Sequence, residues 1–280
     1  MYNFPIGIIL DCFKKPALEA LDIVASLGAQ GIQVYATRGE MSPENLVGEK
    51  RRNFLKEVKA RGLVISALCG DLGHGFGNAE ENPMLIEKSK RILDLAKELE
   101  TDIVTTHIGV VPEDHNHPRF KIMQDACGEL AQYADSVKAH FAIETGPETS
   151  LTLKSFLDTL HSTGVAVNLD PANLVMVTGD DPAGAVHNLK DYIVHTHAKD
   201  GKMLRRPNPE AVYGLVRDDA LVTDPAFLEV PLGEGSVPYD AYLKALEDIG
   251  YRGFLTIERE VGAQPEEDIK KAVAFLKSKY

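Results

Sequence analysis

Cysteine is scarce in this sequence, and the three cysteines it has form no paired motif. Cys12, Cys69 and Cys127 are odd in number, lie far apart and include no C-x-x-C element. Because disulfide frameworks need patterned, usually even sets of cysteines, this arrangement argues against a disulfide-stabilised secreted fold. We therefore expect a reduced, intracellular setting, and hence a cytoplasmic location.

Basic residues are also in short supply. The 30 lysines and arginines are outnumbered by 42 aspartates and glutamates, which gives a formal net charge of −12 and a pI near 5.2. A chain of this charge repels polyanions, which argues against nucleic acid or an anionic membrane surface as a partner. A local basic patch could still bind a phosphate group.

Long hydrophobic runs and linkers are missing as well. The apolar stretch Met1–Leu10 is too short to span a bilayer, has no basic segment before it and is followed by Asp11. It is more typical of a first β-strand than of a signal peptide. Since no low-complexity segment or shift in composition divides the chain, we predict one domain over residues 1–280.

What the sequence does contain is an alternation of short β-type runs and longer helical ones, eight of each. This order favours parallel strands joined by helical crossovers, and eight units are the number that closes a barrel. The predicted fold is therefore α/β, a single (β/α)8 TIM barrel. One helix is predicted to begin at Ser42-Pro43, with the serine as its cap. Four glycines after helices are predicted to adopt a left-handed conformation: Gly28, Gly62, Gly164 and Gly250.

One connection is much longer than the others. The segment 201–238 lies between predicted strands seven and eight and is expected to be a long loop at the carboxyl end of the barrel. Such loops often act as lids or substrate clamps, although an exposed hairpin or a contact in a homo-oligomer fits equally well. Its cationic side chains are candidates for binding a carboxylate or phosphate: Lys202, Arg205, Arg206 and Arg217.

Four predicted strands end in side chains that can bind a metal ion: Glu144, Asp170, His197 and Glu258. Because the carboxyl ends of barrel strands converge, we expect these side chains to meet at one mouth. Three carboxylates and an imidazole suit one divalent ion, Mn²⁺, Mg²⁺, Co²⁺ or Zn²⁺. Such an ion would polarise a substrate carbonyl and acidify the adjacent C–H bond. Glu144 and Glu258 are then the candidate acid and base, one removing a proton and the other returning it.

Polar residues close to these ligands are harder to interpret. His195 shares a strand face with His197, so it either forms a hydrogen bond near the ligands or is a packed barrel histidine, and we favour packing. Arg259 and Glu260 follow Glu258 and are predicted to be loop residues.

Five short motifs lie at predicted strand ends: Thr106-His-Ile-Gly109, Ile143-Glu144, Asn168-Leu-Asp-Pro-Ala-Asn173, His195-Thr-His-Ala-Lys-Asp200 and Ile257-Glu-Arg-Glu260. Together, over nearly the whole chain, they resemble the xylose isomerase-like TIM barrels. This is a family of sugar phosphate isomerases and epimerases related to ketose 3-epimerases, inosose dehydratases and endonuclease IV. The resemblance matches the four strand-end residues with metal ligands and Glu144 and Glu258 with an acid–base pair. It also matches His107 with a histidine that contacts substrate or a second metal.

The chain departs from this family pattern at one position. Where ketose epimerases and endonuclease IV resemble Asp-x-x-His, this chain has Asp170-Pro-Ala-Asn173. Asparagine can bind a sugar hydroxyl but is a poor metal ligand, so a single-metal site is favoured over a multinuclear nuclease site. The predicted substrate-binding residues are His107, Asn173, Lys199 and Arg217.

The predicted function is divalent-metal-dependent isomerisation or epimerisation of a sugar, sugar phosphate or related polyol. An alternative is dehydration of a keto-cyclitol, which begins with the same proton abstraction. An endonuclease IV-like nuclease is less favoured because of Asn173 and the acidic charge. A barrel that binds sugar without turnover remains a further alternative, since binding and catalysis use the same ligands.

Overall fold

The computed structural model describes residues 2–280 and shows a closed barrel of parallel strands surrounded by helices. The strands are β1 (Ile6–Ile9), β2 (Gly31–Tyr35), β3 (Val64–Cys69), β4 (Ile103–Thr106), β5 (His140–Glu144), β6 (Val165–Leu169), β7 (Ile193–Ala198), β8 (Asp200–Met203), β9 (Phe227–Val230) and β10 (Leu255–Ile257). The barrel runs from β1 to β7 in chain order, and β10 closes it by pairing in parallel with both β7 and β1. The predicted (β/α)8 TIM barrel is confirmed.

Helices follow the barrel strands along the chain. They are α1 (Ala17–Ser26), α2 (Gly48–Ala60), α3 (Asn82–Glu98), α4 (Pro118–Val137), α5 (Ser150–Asp158), α6 (Pro171–Asn173), α7 (Pro182–Asn188), α8 (Pro209–Val212), α9 (Ala220–Thr223), α10 (Tyr239–Asp248) and α11 (Pro265–Ser278). Short 3₁₀ turns cover Leu10–Phe13 and Gly39–Met41, and a π-helical turn covers Leu174–Thr178. None of the helices within residues 2–280 combines the length and the apolar character needed to cross a membrane.

The barrel strands are buried on both faces, as parallel sheets covered by helices are. All five residues of β6 are buried, for example, although Asn168 is polar. The apolar core fills the space between strands and helices, where large side chains such as Phe141 and Phe156 are almost fully enclosed. The lumen of the barrel also holds polar side chains. Gln33 of β2 donates a hydrogen bond to Thr105 of β4, and these strands are not neighbours in the sheet.

Two local predictions are wrong in detail. The helix after β2 begins at Gly48 instead of Ser42, because Val47 is extended, with φ −114° and ψ 154°, and separates a short turn from the helix. Gly28, Gly62 and Gly250 adopt positive φ angles as predicted. Gly164 does not; a Cβ atom there would lie 2.1 Å from the backbone oxygen of Ala131, so the residue allows close contact with α4 instead.

The segment 201–238 lies between the barrel strands β7 and β10, as predicted, but much of it is regular structure instead of loop. β8 and β9 pair as an antiparallel hairpin, and α8 and α9 lie between them. Asp200 anchors both ends of this segment. Its carboxylate accepts hydrogen bonds from four backbone N–H groups at 2.9–3.1 Å. The donors are Gly201, Gly233, Gly235 and Val237.

Replacing Asp200 with asparagine is expected to destabilise the protein by about 3 kcal/mol, because the new NH₂ group would face backbone donors that no longer have an acceptor. Urea unfolding of the wild type and the variant measures this difference. Asp219→Asn is the control, since the side chain of Asp219 is 77% exposed in the same segment. A loss below about 0.5 kcal/mol for Asp200→Asn would show that this carboxylate does not anchor the segment.

Candidate metal centre

Four polar side chains converge at the carboxyl ends of four barrel strands. Glu144 is the last residue of β5, His197 lies near the end of β7, and Asp170 and Glu258 directly follow β6 and β10. All four are buried, and one ligand atom from each lies within 4.8 Å of the others. The structure thus brings together the four residues that the sequence proposed as ligands, and this group could hold a metal ion.

The spacing of these atoms fits a single ion. His197 Nδ1 is 3.5 Å from Glu144 Oε1, 3.4 Å from Asp170 Oδ2 and 3.3 Å from Glu258 Oε2. Ligand atoms that each stand about 2.1 Å from a common ion are about 3.4 Å apart in tetrahedral geometry. The donor set and its distances therefore suit a divalent cation bound through Nδ1 and three carboxylate oxygens.

The electrostatics of the cluster also favour a cation. Burial acts to lower the pKa of His197, but Glu258 and Glu144 outweigh it and hold that pKa well above its usual value. Burial raises the pKa of Asp170, and hydrogen bonding to His197 offsets this only in part. Without an ion, a proton on His197 supplies the positive charge. A metal ion would replace that proton, so metal affinity should fall as the pH falls.

Neighbouring histidine and lysine side chains lower the pKa values of both glutamates. Burial acts against ionisation of Glu258, but Lys199 and His197 outweigh it and keep its pKa well below the usual value. For Glu144, burial is likewise outweighed, here by His107 and His197, and its pKa is lowered. Both carboxylates are therefore available as ligands and as proton acceptors near neutral pH.

The orientation of the His197 ring is set by a residue that the sequence did not reveal as a site residue. Gln33 Oε1 lies 3.0 Å from His197 Nε2 across the barrel and accepts a hydrogen bond from it. Gln33 is itself fixed by its hydrogen bond to Thr105 Oγ1 at 2.9 Å. This contact keeps a proton on Nε2, so Nδ1, which faces the three carboxylates, is the nitrogen that would bind an ion.

Replacing Gln33 with methionine is expected to weaken metal binding by roughly 10- to 100-fold, because the ring of His197 loses the acceptor that fixes its tautomer and orientation. Gln33→Glu retains an acceptor at the same place and should lose much less. Titration calorimetry with Mn²⁺ compares the two variants. Equal affinities for both would show that the hydrogen bond to His197 does not matter for the site.

His195 is not simply packed, so the interpretation favoured from the sequence is wrong. Its Nδ1 donates to Asn168 Oδ1 at 2.9 Å, and its Nε2 accepts from Thr256 Oγ1 at 2.9 Å. Burial, followed by the nearby charge of His197, lowers the pKa of His195 well below its usual value, so the ring is neutral. Asn168 in turn donates to Glu144 Oε2 at 3.1 Å, which connects His195 to the cluster.

Three of the four predicted substrate-binding residues lie beside the cluster. His107 Nε2 is 3.5 Å from Glu144 Oε1, and Asn173 Nδ2 donates to the same oxygen at 3.1 Å. Lys199, only 4% exposed, donates to Glu258 Oε2 at 2.9 Å. Arg217 is far from this arrangement: its side chain is 86% exposed and pairs with Asp219. The structure does not bring Arg217 to the site, because the hairpin segment turns it towards solvent.

The residues after Glu258 also contribute to the site. Glu260 lies beyond β10, as predicted, yet its Oε2 accepts a hydrogen bond from Lys199 at 2.5 Å. Arg259 is buried and pairs with Glu229 and Asp268 at 2.7 and 2.9 Å. These contacts connect the end of β10 to the hairpin strand β9 and to α11.

A cavity of about 590 Å³ opens directly above the cluster. Its floor includes Gln33, Glu144, His197 and Glu258. The segment 201–238 supplies part of the wall through Val212, Tyr213, Phe227, Leu228 and Glu229. Tyr213 packs edge-on against His107, with 5.1 Å between ring centroids. The long connection therefore covers the mouth of the barrel at the candidate metal centre.

The fold and this cluster define a (β/α)8 barrel with a candidate metal site at the carboxyl ends of its strands. The chain belongs to the xylose isomerase-like TIM barrel family, whose family model matches residues 21–279. Inosose dehydratase of Clostridium beijerinckii is 24% identical over 237 residues, covering 81% of this chain and 68% of that protein.

Solved structures show the same fold. A xylose isomerase domain protein from Planctomyces limnophilus has a TM-score of 0.79 and 24% identity, covering 99% of this chain and 96% of that one. The 3-keto-D-glucoside 4-epimerase of E. coli has a TM-score of 0.75 and 16% identity, covering 99% and 100%. The proteins similar to this chain thus include one named as a dehydratase and one named as an epimerase.

Proposed function

We propose that this protein is a divalent-metal-dependent isomerase or epimerase that acts on a small polyol-type substrate by proton transfer next to a carbonyl group. The observation that carries the proposal is the pair Glu144 and Glu258, which face one cluster from strands β5 and β10. Two other strands, β6 and β7, separate them in the barrel. A substrate above the cluster would have one carboxylate on each side, an arrangement suited to epimerisation.

When bound, a divalent ion would supply positive charge to the substrate's carbonyl oxygen and so acidify the neighbouring C–H bond. The protein's own residues perform the remaining tasks. One glutamate accepts the carbon-bound proton. The other returns a proton to the opposite face of that carbon, and it must first take up this proton from solvent, because both glutamates are ionised in the free site. Asn173 and Lys199 hold the two carboxylates in place by hydrogen bonds.

The walls of the cavity support the same chemistry. His107 and Tyr213 both line the cavity, so both can contact a substrate's hydroxyl groups. Phe227 and Leu228 supply apolar surface from the hairpin. A partly apolar cover lowers the access of water to the reacting carbon and strengthens electrostatic interactions within the site.

Incubation in D₂O with a panel of ketoses, keto acids and inososes, free and phosphorylated, tests the proposal. We expect one class of substrate to acquire deuterium at the carbon next to its carbonyl group, with the label dependent on added metal. A substrate that is converted without taking up solvent deuterium would contradict proton transfer through these glutamates.

Dehydration of a keto-cyclitol is the second candidate, supported by the similarity to inosose dehydratase. It begins with the same removal of a proton next to a carbonyl group, followed by loss of a hydroxyl group. Mass spectrometry separates the two outcomes, because dehydration lowers the product mass by one water whereas epimerisation leaves it unchanged apart from deuterium.

A further inference from the structure

We infer that the cavity accepts an uncharged, hydroxylated substrate and discriminates against phosphorylated or carboxylated counterparts. This inference rests on the proposed function only in taking the cavity to be the substrate site. It concerns the charge of the ligand and follows from the side chains around the cluster.

Six carboxylates line the cavity and its floor: Asp71, Glu144, Asp170, Glu229, Glu258 and Glu260. Glu229 pairs with Arg259, which balances its charge. A bound divalent ion and the ammonium group of Lys199 together bring three positive charges against the five other carboxylates. The site therefore keeps an excess of negative charge before any substrate enters, and an anionic group placed there meets like charge.

The ammonium group of Lys199, which lines the cavity, already pairs with two carboxylates. Lys199 Nζ donates to Glu258 Oε2 at 2.9 Å and to Glu260 Oε2 at 2.5 Å, and its side chain is almost completely buried. Its charge is thus balanced by two carboxylates. A remaining N–H of the ammonium group can still donate to a substrate hydroxyl, which needs no countercharge.

The cations of the segment 201–238, which the sequence suggested as candidates for binding a carboxylate or phosphate, do not line the cavity in this structure. Arg205 pairs with Asp224 at 3.0 Å, and Arg217 pairs with Asp219. Lys202 and Arg206 are exposed as well. Among the described residues, no arginine lines the cavity above the cluster.

The rest of the cavity lining includes several apolar side chains. They are Met176, Val177, Val212, Phe227, Leu228 and Val261. A sugar or cyclitol has C–H faces that pack on such a surface and hydroxyl edges that reach the polar floor. A phosphate or carboxylate would instead be desolvated against side chains that offer it no hydrogen bond.

Binding of matched probe pairs to the Mn²⁺-loaded protein tests the inference. The pairs are D-fructose with D-fructose 6-phosphate and D-glucose with D-glucuronate, and titration calorimetry measures each affinity. We expect the neutral member of each pair to bind at least about tenfold more tightly. Tighter binding of an anionic member would overturn the inference.

The variant Glu260→Gln provides a second, independent test, because it frees part of the charge of Lys199. The affinity for the anionic member relative to the neutral one should rise about tenfold. Glu129→Gln is the matched control: it makes the same change in net charge at an exposed carboxylate that pairs with Lys90 outside the cavity. An unchanged ratio in Glu260→Gln would contradict the role given to the Lys199 and Glu260 pair.

These measurements separate the inference from the proposed function. If neutral probes bind more tightly but no substrate takes up deuterium, the proposed reaction fails while the inference stands. If a phosphorylated ketose takes up deuterium and binds more tightly than its free form, the reaction stands and the inference fails.

Discussion

Replacing Asp170 or His197 with alanine is expected to reduce the affinity for a divalent ion on the order of a thousandfold. Loss of an outer hydrogen-bond partner already costs about 10- to 100-fold, and loss of a ligand atom itself should cost more. Asp170 and His197 each contribute one of the four atoms that lie within 4.8 Å of one another. Removing either atom would leave only three protein ligands for the ion.

Elemental analysis after dialysis, together with calorimetric titration, measures this loss. The wild type should retain one divalent ion per chain, and both variants should retain much less. Asp102→Ala is the control for Asp170→Ala, because Asp102 precedes β4 at the opposite end of the barrel and pairs with Lys97. Equal retention in the wild type and in both ligand variants would show that the ion binds elsewhere or not at all.

Substituting glutamine for Glu144 or Glu258 should lower the rate of deuterium exchange about a thousandfold at saturating metal. General acid–base catalysis is worth about 10² to 10⁴ in rate, and glutamine cannot accept or return a proton. Saturating metal is needed because both residues also lie in the candidate metal cluster, and the amide oxygen of glutamine remains a weaker ligand.

Glu148→Gln is the matched control for these variants. Glu148 is four positions after Glu144, and burial raises its pKa to about 8, so it is mostly protonated at neutral pH. Its Oε2 accepts a hydrogen bond from the backbone of Val111 at 3.2 Å. The amide of glutamine resembles this neutral carboxyl group, and exchange should stay within a few fold of the wild type. A similar loss in all three variants would point to general disruption of the site.

The convergence of the four candidate ligands could be predicted because it follows from topology. Parallel barrel strands end at the same mouth, so apolar runs that finish in Glu144, Asp170 and Glu258 bring these carboxylates together whatever the details of packing. The alternation of side chains also places His195 and His197 on one face of β7. None of these inferences required the register of the barrel.

The residues that orient the cluster could not be predicted, because their contacts depend on that register. Gln33 lies on β2 and reaches His197 on β7 across the lumen, a contact that sequence spacing does not encode. The same holds for the hydrogen bonds of His195 to Asn168 and Thr256. The only signal in the sequence was a single polar residue within an otherwise apolar strand, as in Gly31-Ile-Gln-Val-Tyr35.

The segment 201–238 shows the other limit of prediction from the sequence. Its length and position were evident, but the hairpin of β8 and β9 turns Arg217 to solvent while Tyr213 faces the cavity. The segment is anchored by hydrogen bonds to Asp200, which link positions far apart in the chain and are not encoded in the spacing of residues. The composition of the segment favoured Arg217 as a substrate-binding residue, whereas the structure places Tyr213 in the cavity lining.

Titration of metal-free protein with Mn²⁺ in D₂O, while deuterium uptake by an active substrate is followed by NMR, tests the central claim most directly. The claim is that one ion at the Glu144–Asp170–His197–Glu258 cluster enables proton transfer by the two glutamates. We expect no exchange without metal, a rise in rate up to one equivalent per chain, and no further rise beyond it. Exchange that proceeds at the full rate in metal-free protein, or that persists in Glu144→Gln and Glu258→Gln, would contradict the account.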